Sequence, residues 1–441
     1  MKFSSFKVQI TASIGLAIAI LIGLTETVKS ASLVEDISEN PFLLEVVNSS
    51  SFENTVSDQL DEQLNLIFDE TTDDIPGAFL AIISPRGTWL GTSGFSSLEN
   101  QTPLTNEDRF QIGSITKTFV ATVVLQLVEE GTLTLEDTLD EWLSSEVLEN
   151  IPNSEQITIR QLLNHTSGIV DYSLPLFFQA QNNPGVFLRE WQPEELLTFI
   201  ANQNAYFSPG ESWEYSNTNV ILLGLIVEAV TGSNIAAEIR SRILEPLGLN
   251  NTFFAEEEPI PGGYVNAYWD FDGDGSFNNV SQANLSWAWA AGAMVSNPTD
   301  MARFIAGLLS GKLLETESLA EMLTVVEATN SENYDAYGLG IGALESPLRQ
   351  WYGHRGLTLA HRSNLFYSPT DDIIYIELIN SRDLDNISNP VFRAWRQAQE
   401  PIASVPEPGM LSGFGVVFLG GFLIRFKRFK EGGRRKAKEK N

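Results

Sequence analysis

Strand-forming runs stand at the two ends of this chain's central body, and a stretch richer in helical patterns lies between them. Gly77 to Ile83 and Gly87 to Gly94 are joined by Pro85-Arg86-Gly87, which predicts a hairpin. Just before it, Leu60, Leu64, Ile67 and Phe68 are spaced as one face of an amphipathic helix. Near the other end, Leu365 to Tyr367 and Ile373 to Leu378 flank Ser368-Pro369-Thr370-Asp371, a second strand, turn and strand. The helical patterns run from Ile115 to about Leu308. This order implies an α+β architecture: an antiparallel β-sheet built from both ends of the body, flanked by helices, with a helical region inserted between its halves. A chain of 441 residues, 43% apolar, can bury a large core, which excludes disorder as its main state. No internal repeat or low-complexity linker interrupts residues 52–399, so they read as one continuous unit.

The two ends follow a different grammar. Residues 1–31 carry Lys2 and Lys7, an apolar run from about Ile10 to Leu24, and small residues at Ser30, Ala31 and Ser32, the pattern of a secretory signal peptide; an uncleaved anchor is the alternative. Residues 405–441 run from Val405-Pro406-Glu407-Pro408 through an apolar stretch, Met410 to Ile424, into a tail with nine Lys/Arg against two Glu. That stretch spans roughly 22 Å as a helix, short of the roughly 30 Å hydrocarbon core. Both ends predict export and membrane contact before processing. The net charge of −30, carried despite the basic tail, argues against a nucleic-acid partner. Cysteine is absent, which excludes disulfides, thiol nucleophiles and cysteine-held metals.

The chemistry concentrates at Gly113-Ser114-Ile115-Thr116-Lys117. Phe119, Val120, Val123, Val124 and Leu127 keep helical spacing up to Gly131, so Ser114 falls at a helix start and Lys117 one turn on, on the same face. A lysine amine within reach of a serine hydroxyl can take its proton once burial lowers the amine's pKa. Ser-x-x-Lys alone is weak, since Ser4 and Lys7 repeat it inside the leader. A second element is Tyr215-Ser216-Asn217 ahead of the apolar run Val220 to Val230. Its phenol can share the proton, ionising as base and returning it as acid, while the Asn217 amide can position both Lys117 and a substrate carbonyl. Tyr264-Val265-Asn266 duplicates the pattern; Tyr215 is preferred because a long apolar helix follows it, whereas Tyr264 sits among Pro261, Gly262 and Gly263. The third element, Gly353-His354-Arg355-Gly356, lets backbone approach a substrate, with the N–H groups of Ser114 and Leu357 as an oxyanion hole. His165 and His361 read as structural histidines.

In this order and spacing the three elements resemble the serine β-lactamase and penicillin-binding family, on the branch with class C β-lactamases, D-Ala-D-Ala carboxypeptidases and esterases. Leu163 to Gly168, Tyr337 to Gly340 and Ala291 to Ser296 extend the resemblance over about Leu64 to Asn380. It implies an acyl-enzyme at Ser114, proton handling by Lys117 and Tyr215, a site lined by Asn217, His354, Gly356 and Leu357, and a small-molecule or peptide acyl substrate with no required cofactor. His354-Arg355-Gly356 stands where class C enzymes carry Lys-Thr-Gly, which leans away from β-lactam hydrolysis. The tail resembles a PEP-CTERM sorting signal, which implies an exosortase-like protease and signal peptidase as processing partners; a plain tail anchor is the alternative. Asp270, Asp272 and Asp274, with Gly275 in sixth place, match the opening of a calcium loop but lack its closing Glu, so structural calcium stands beside a solvated acidic turn. A surface binding or scaffold protein on the same fold is the non-enzymatic alternative.

Overall fold

Residues 33–35, 37–38, 40–46, 50–70, 76–270, 276–346 and 349–382 are described by the computed structural model. The chain divides into two units, Met1–Gln399 and Glu400–Asn441. The segments expected to act as a signal peptide and a PEP-CTERM-like sorting signal, and residues 271–275 with Asp272 and Asp274, lie outside the described residues, so the export and calcium expectations rest on sequence only.

Strand β1 (Gly77–Ser84) is buried along its whole length, as its unbroken apolar run requires of a central strand. It pairs on one side with β2 (Gly87–Ser97) and on the other with β14 (Ile373–Ile379), both antiparallel. The two ends of the body therefore meet in the middle of the sheet, as the sequence implies. Outward from β2 comes β3 (Thr102–Pro103); outward from β14 come β13 (Arg362–Ser368), β12 (Arg349–Leu357), β11 (Gly342–Ser346), β10 (Ala336–Tyr337) and β9 (Val326–Glu327). This nine-stranded mixed helix and sheet architecture is the α+β fold expected.

Helix α1 (Asn54–Glu70) covers one face, seating Leu60 and Leu64 against Leu80, Ile82, Trp89 and Tyr375. Each such buried leucine contributes roughly 1.5–3 kcal/mol, so this stripe holds the helix down. Across the sheet, α5 (Pro298–Leu309) packs against β13 and β14, and α2 (Thr116–Glu129), α3 (Ser173–Ala180) and α4 (Asn217–Thr231) share the main core with it. Phe119 of α2 stacks on Phe304 of α5. A small sheet of β4 (Phe110–Gln111), β8 (Met294–Ser296) and β5 (Phe253–Phe254) fixes the chain immediately before Ser114.

Candidate active site

Gly113–Ile115 form one 3₁₀ turn that runs directly into α2. The Thr116 hydroxyl donates to the Gly113 carbonyl at 2.7 Å and locks this entry. Gly113 has φ +51°, and a Cβ there would lie 2.7 Å from the Leu357 backbone nitrogen. At Gly356 a Cβ would lie 2.0 Å from the Ile112 carbonyl oxygen. Both glycines are required because the nucleophile turn and the end of β12 press backbone on backbone.

Lys117 is 1% exposed in a helix whose residues 116–125 are all buried. Its Nζ lies 2.9 Å from Ser114 Oγ and donates to Asn217 Oδ1 at 2.8 Å and the Ala291 carbonyl at 2.6 Å. Burial pulls its pKa down to about 7, opposed by the negative charge of Asp171. Near neutrality a substantial fraction of the amine is therefore free to accept a proton.

Tyr215 hydrogen-bonds Ser114, and Lys117 Nζ lies 5.1 Å from its ring centroid. Its ring is backed by His165 at 4.4 Å, Tyr337 at 6.2 Å and His354 at 6.3 Å between centroids. Burial, reinforced by Tyr334, holds the phenol well above its usual pKa. Tyr215 is thus held in its protonated form in the resting site, ready to act as an acid. Tyr264 hydrogen-bonds Gln111 and packs edge-on against His361, away from Ser114. The duplicated pattern therefore divides cleanly between the two tyrosines.

Ser114, Tyr215, Asn217, Gly356 and Leu357 border one cleft of about 930 Å³, whose walls include Tyr172, Phe177, Trp213 and Trp287. His354 is a correction. It is buried behind Tyr215, with Nδ1 against the Arg355 carbonyl at 2.6 Å and Nε2 against the Tyr337 hydroxyl at 2.7 Å. A carbonyl only accepts, so Nδ1 carries the proton and Nε2 accepts from Tyr337. Burial lowers the pKa of His354 to about 3, and the ring supports the tyrosines instead of lining the cleft. Asn217 also departs from expectation: its Nδ2 donates to Asp171 and Ser173, leaving only the acceptor end directed at the catalytic groups. His165 and His361 are buried and hydrogen-bonded, His361 Nδ1 accepting the Gln111 N–H at 2.8 Å.

Sequence reasoning missed Asp171, the Ala291 carbonyl and the Tyr334/Tyr337 pair behind His354. The one local sign of Asp171 was its place two residues ahead of Ser173, whose N–H and hydroxyl it accepts, both at 3.0 Å.

Residues 55–399 match the family model Beta-lactamase. Penicillin-binding protein 4* of Bacillus subtilis (strain 168) is 27% identical over 300 residues, 62% of this chain and 63% of that protein. Esterase EstB of Burkholderia gladioli is 31% identical over 206 residues, 45% of this chain and 52% of the esterase. The chain thus spans between half and two thirds of the length of these curated relatives. The crystal structure of a D-stereospecific amidohydrolase from Streptomyces sp. superposes with a TM-score of 0.67 at 33% identity, covering 77% of this chain and 97% of that one. The matched body, the sheet joining its first and last strands and the serine–lysine–tyrosine cluster at one cleft agree, and the chain belongs to the β-lactamase/transpeptidase-like family of serine hydrolases.

Proposed function

We propose that this chain is an exported serine hydrolase that cleaves an ester or amide through an acyl-enzyme at Ser114. The observation that carries this reading is the 2.9 Å contact between Ser114 Oγ and the Nζ of a buried lysine whose pKa burial brings to about 7. Neutral Lys117 takes the hydroxyl proton as Ser114 Oγ bonds to the acyl carbon. Tyr215, kept protonated by its surroundings, donates to the leaving group and is reprotonated from Lys117. Water then attacks the acyl carbon, and Ser114 leaves as the alcohol with its proton restored. Ser114 and Leu357 both border the cleft, and the Leu357 nitrogen lies close against Gly113, which supports their N–H groups as the oxyanion hole. Similarity to an esterase and to a D-stereospecific amidohydrolase favours ester or amide turnover, and His354-Arg355-Gly356 in place of Lys-Thr-Gly leans away from β-lactam hydrolysis.

An alkyl fluorophosphonate is expected to label wild-type protein at Ser114, and the Ser114→Ala variant is expected to take up none. Labelling that persists unchanged in the variant overturns the assignment. The same protein assayed with p-nitrophenyl esters, a D-Ala-D-Ala peptide, a D-amino acid amide and nitrocefin then ranks the substrate class, with nitrocefin expected to be slowest.

Export with removal of both ends predicts a mature chain lacking residues 1–31 and the apolar, basic tail after Pro408. Intact mass of protein taken from producing cells checks this. Met1 or Asn441 in the mature mass overturns the corresponding cleavage.

A further inference from the structure

Asn217 is held in one orientation by what stands behind it. Asp171 is 7% exposed, and its two carboxylate oxygens accept Asn217 Nδ2 at 3.2 and 3.0 Å, the Ser173 N–H at 3.0 Å and the Ser173 hydroxyl at 3.0 Å. A carboxylate only accepts, so it fixes the amide's NH₂ end and turns Oδ1 towards Lys117 Nζ, 2.8 Å away. The flipped amide would set oxygen against carboxylate and NH₂ against the amine's own donors.

That orientation decides where the lysine's lone pair points. A neutral amine has two N–H groups and one lone pair. Nζ has three partners, and two of them, Asn217 Oδ1 and the Ala291 carbonyl at 2.6 Å, can only accept. They take both N–H groups, which leaves the lone pair for the third partner, Ser114 Oγ at 2.9 Å. With Asn217 free to turn, an N–H of the amine would compete for Ser114 and the lone pair would lose its aim.

We propose that Asp171 is a positioning residue which, through Asn217, aims the lone pair of Lys117 at the Ser114 hydroxyl. This rests on the acyl-enzyme reading above. Asp171 touches neither Ser114 nor Lys117 directly in the hydrogen-bond network. Burial raises the pKa of Asp171, opposed by its hydrogen bonds from Ser173, the charge of Lys117 and its hydrogen bond from Asn217, and as a carboxylate it acts in turn on Lys117 across Asn217; the other titratable groups facing the amine are Tyr215, His165 and His354, the two imidazoles being kept neutral by burial.

The test compares wild type, Asp171→Asn, Asp171→Ala, Asn217→Ala and the Asp171→Asn/Asn217→Ala double variant on one p-nitrophenyl ester, with Ser114→Ala as the reference for the acyl-enzyme reading. Asp171→Ala is expected to lower kcat about 10²-fold, the size of effect that small misplacements of a catalytic group produce, with KM within about twofold of wild type. Asp171→Asn keeps an acceptor but removes the charge, so its acid limb of kcat/KM should move to lower pH. If Asp171 acts through Asn217, its substitution costs almost nothing more in the Asn217→Ala background. Thermal unfolding of each variant, with rates referred to the folded fraction, keeps a damaged fold from counting as a lost aim. Should Asp171→Asn keep full kcat and an unmoved acid limb while Ser114→Ala is dead, the positioning role falls and the acyl-enzyme stands. An active Ser114→Ala removes the acyl-enzyme reading itself. Additive losses from the two single variants overturn the route through Asn217.

Discussion

Replacing Lys117 with methionine is expected to lower kcat about 10²- to 10⁴-fold, the range for a lost general base, with KM little changed. Methionine keeps most of the buried stem, so the change removes the amine without opening the cavity that alanine would leave in a fully packed helix. The wild-type pH profile carries the complementary expectation. Burial brings the Lys117 pKa down from 10.5 to about 7, so the amine is protonated and inert as a base below that pH and free above it. The acid limb of kcat/KM should accordingly rise through about pH 7 and reach its plateau on the alkaline side. The methionine variant should lose this limb along with its rate. A profile flat from pH 5 to 9 in the wild type, or a variant with undiminished kcat, would mean that another group takes the serine proton.

How much of this was legible in the chain depends on whether the information is local. Ser114 and Lys117 are three residues apart, and helical spacing alone puts them on one face, so sequence and structure agree. The sheet was legible for the same reason, since the unbroken apolar run of β1 and the hairpins at both ends announce buried antiparallel strands. His354 was misplaced because a strand pattern gives alternation and not depth. It shares its side of β12 with Gly356, yet Tyr215, Tyr334 and Tyr337 close over it, and none of the three is its neighbour along the strand. Asp171 was missed because its partner Asn217 is 46 residues away and its effect on Lys117 passes through that amide. The donor end of Asn217 was assigned to a substrate for want of the carboxylate that claims it.

The two Tyr-x-Asn sequences give the sharpest comparison, because the substitution is the same in both and only the surroundings differ. Tyr215→Phe removes the hydroxyl that bonds Ser114 while keeping a ring wedged among His165, His354 and Tyr337. Loss of the proton donor to the leaving group should lower kcat about 10²- to 10⁴-fold with packing and folding nearly intact. The loss should be largest for poor leaving groups such as amides, which need a proton, and smaller for p-nitrophenyl esters, whose phenolate departs without one. Tyr264→Phe removes a hydroxyl bonded to Gln111 in a region packed on His361. Its cost is one hydrogen bond of about 1 kcal/mol in stability, with kcat unchanged on either substrate. Steady-state rates on an ester and an amide, with a melting curve for each variant, separate the two outcomes. A crippled Tyr264→Phe beside an active Tyr215→Phe would place the proton donor in the loop after Gly263, and the cleft bounded by Ser114 and Tyr215 would no longer be the reacting one.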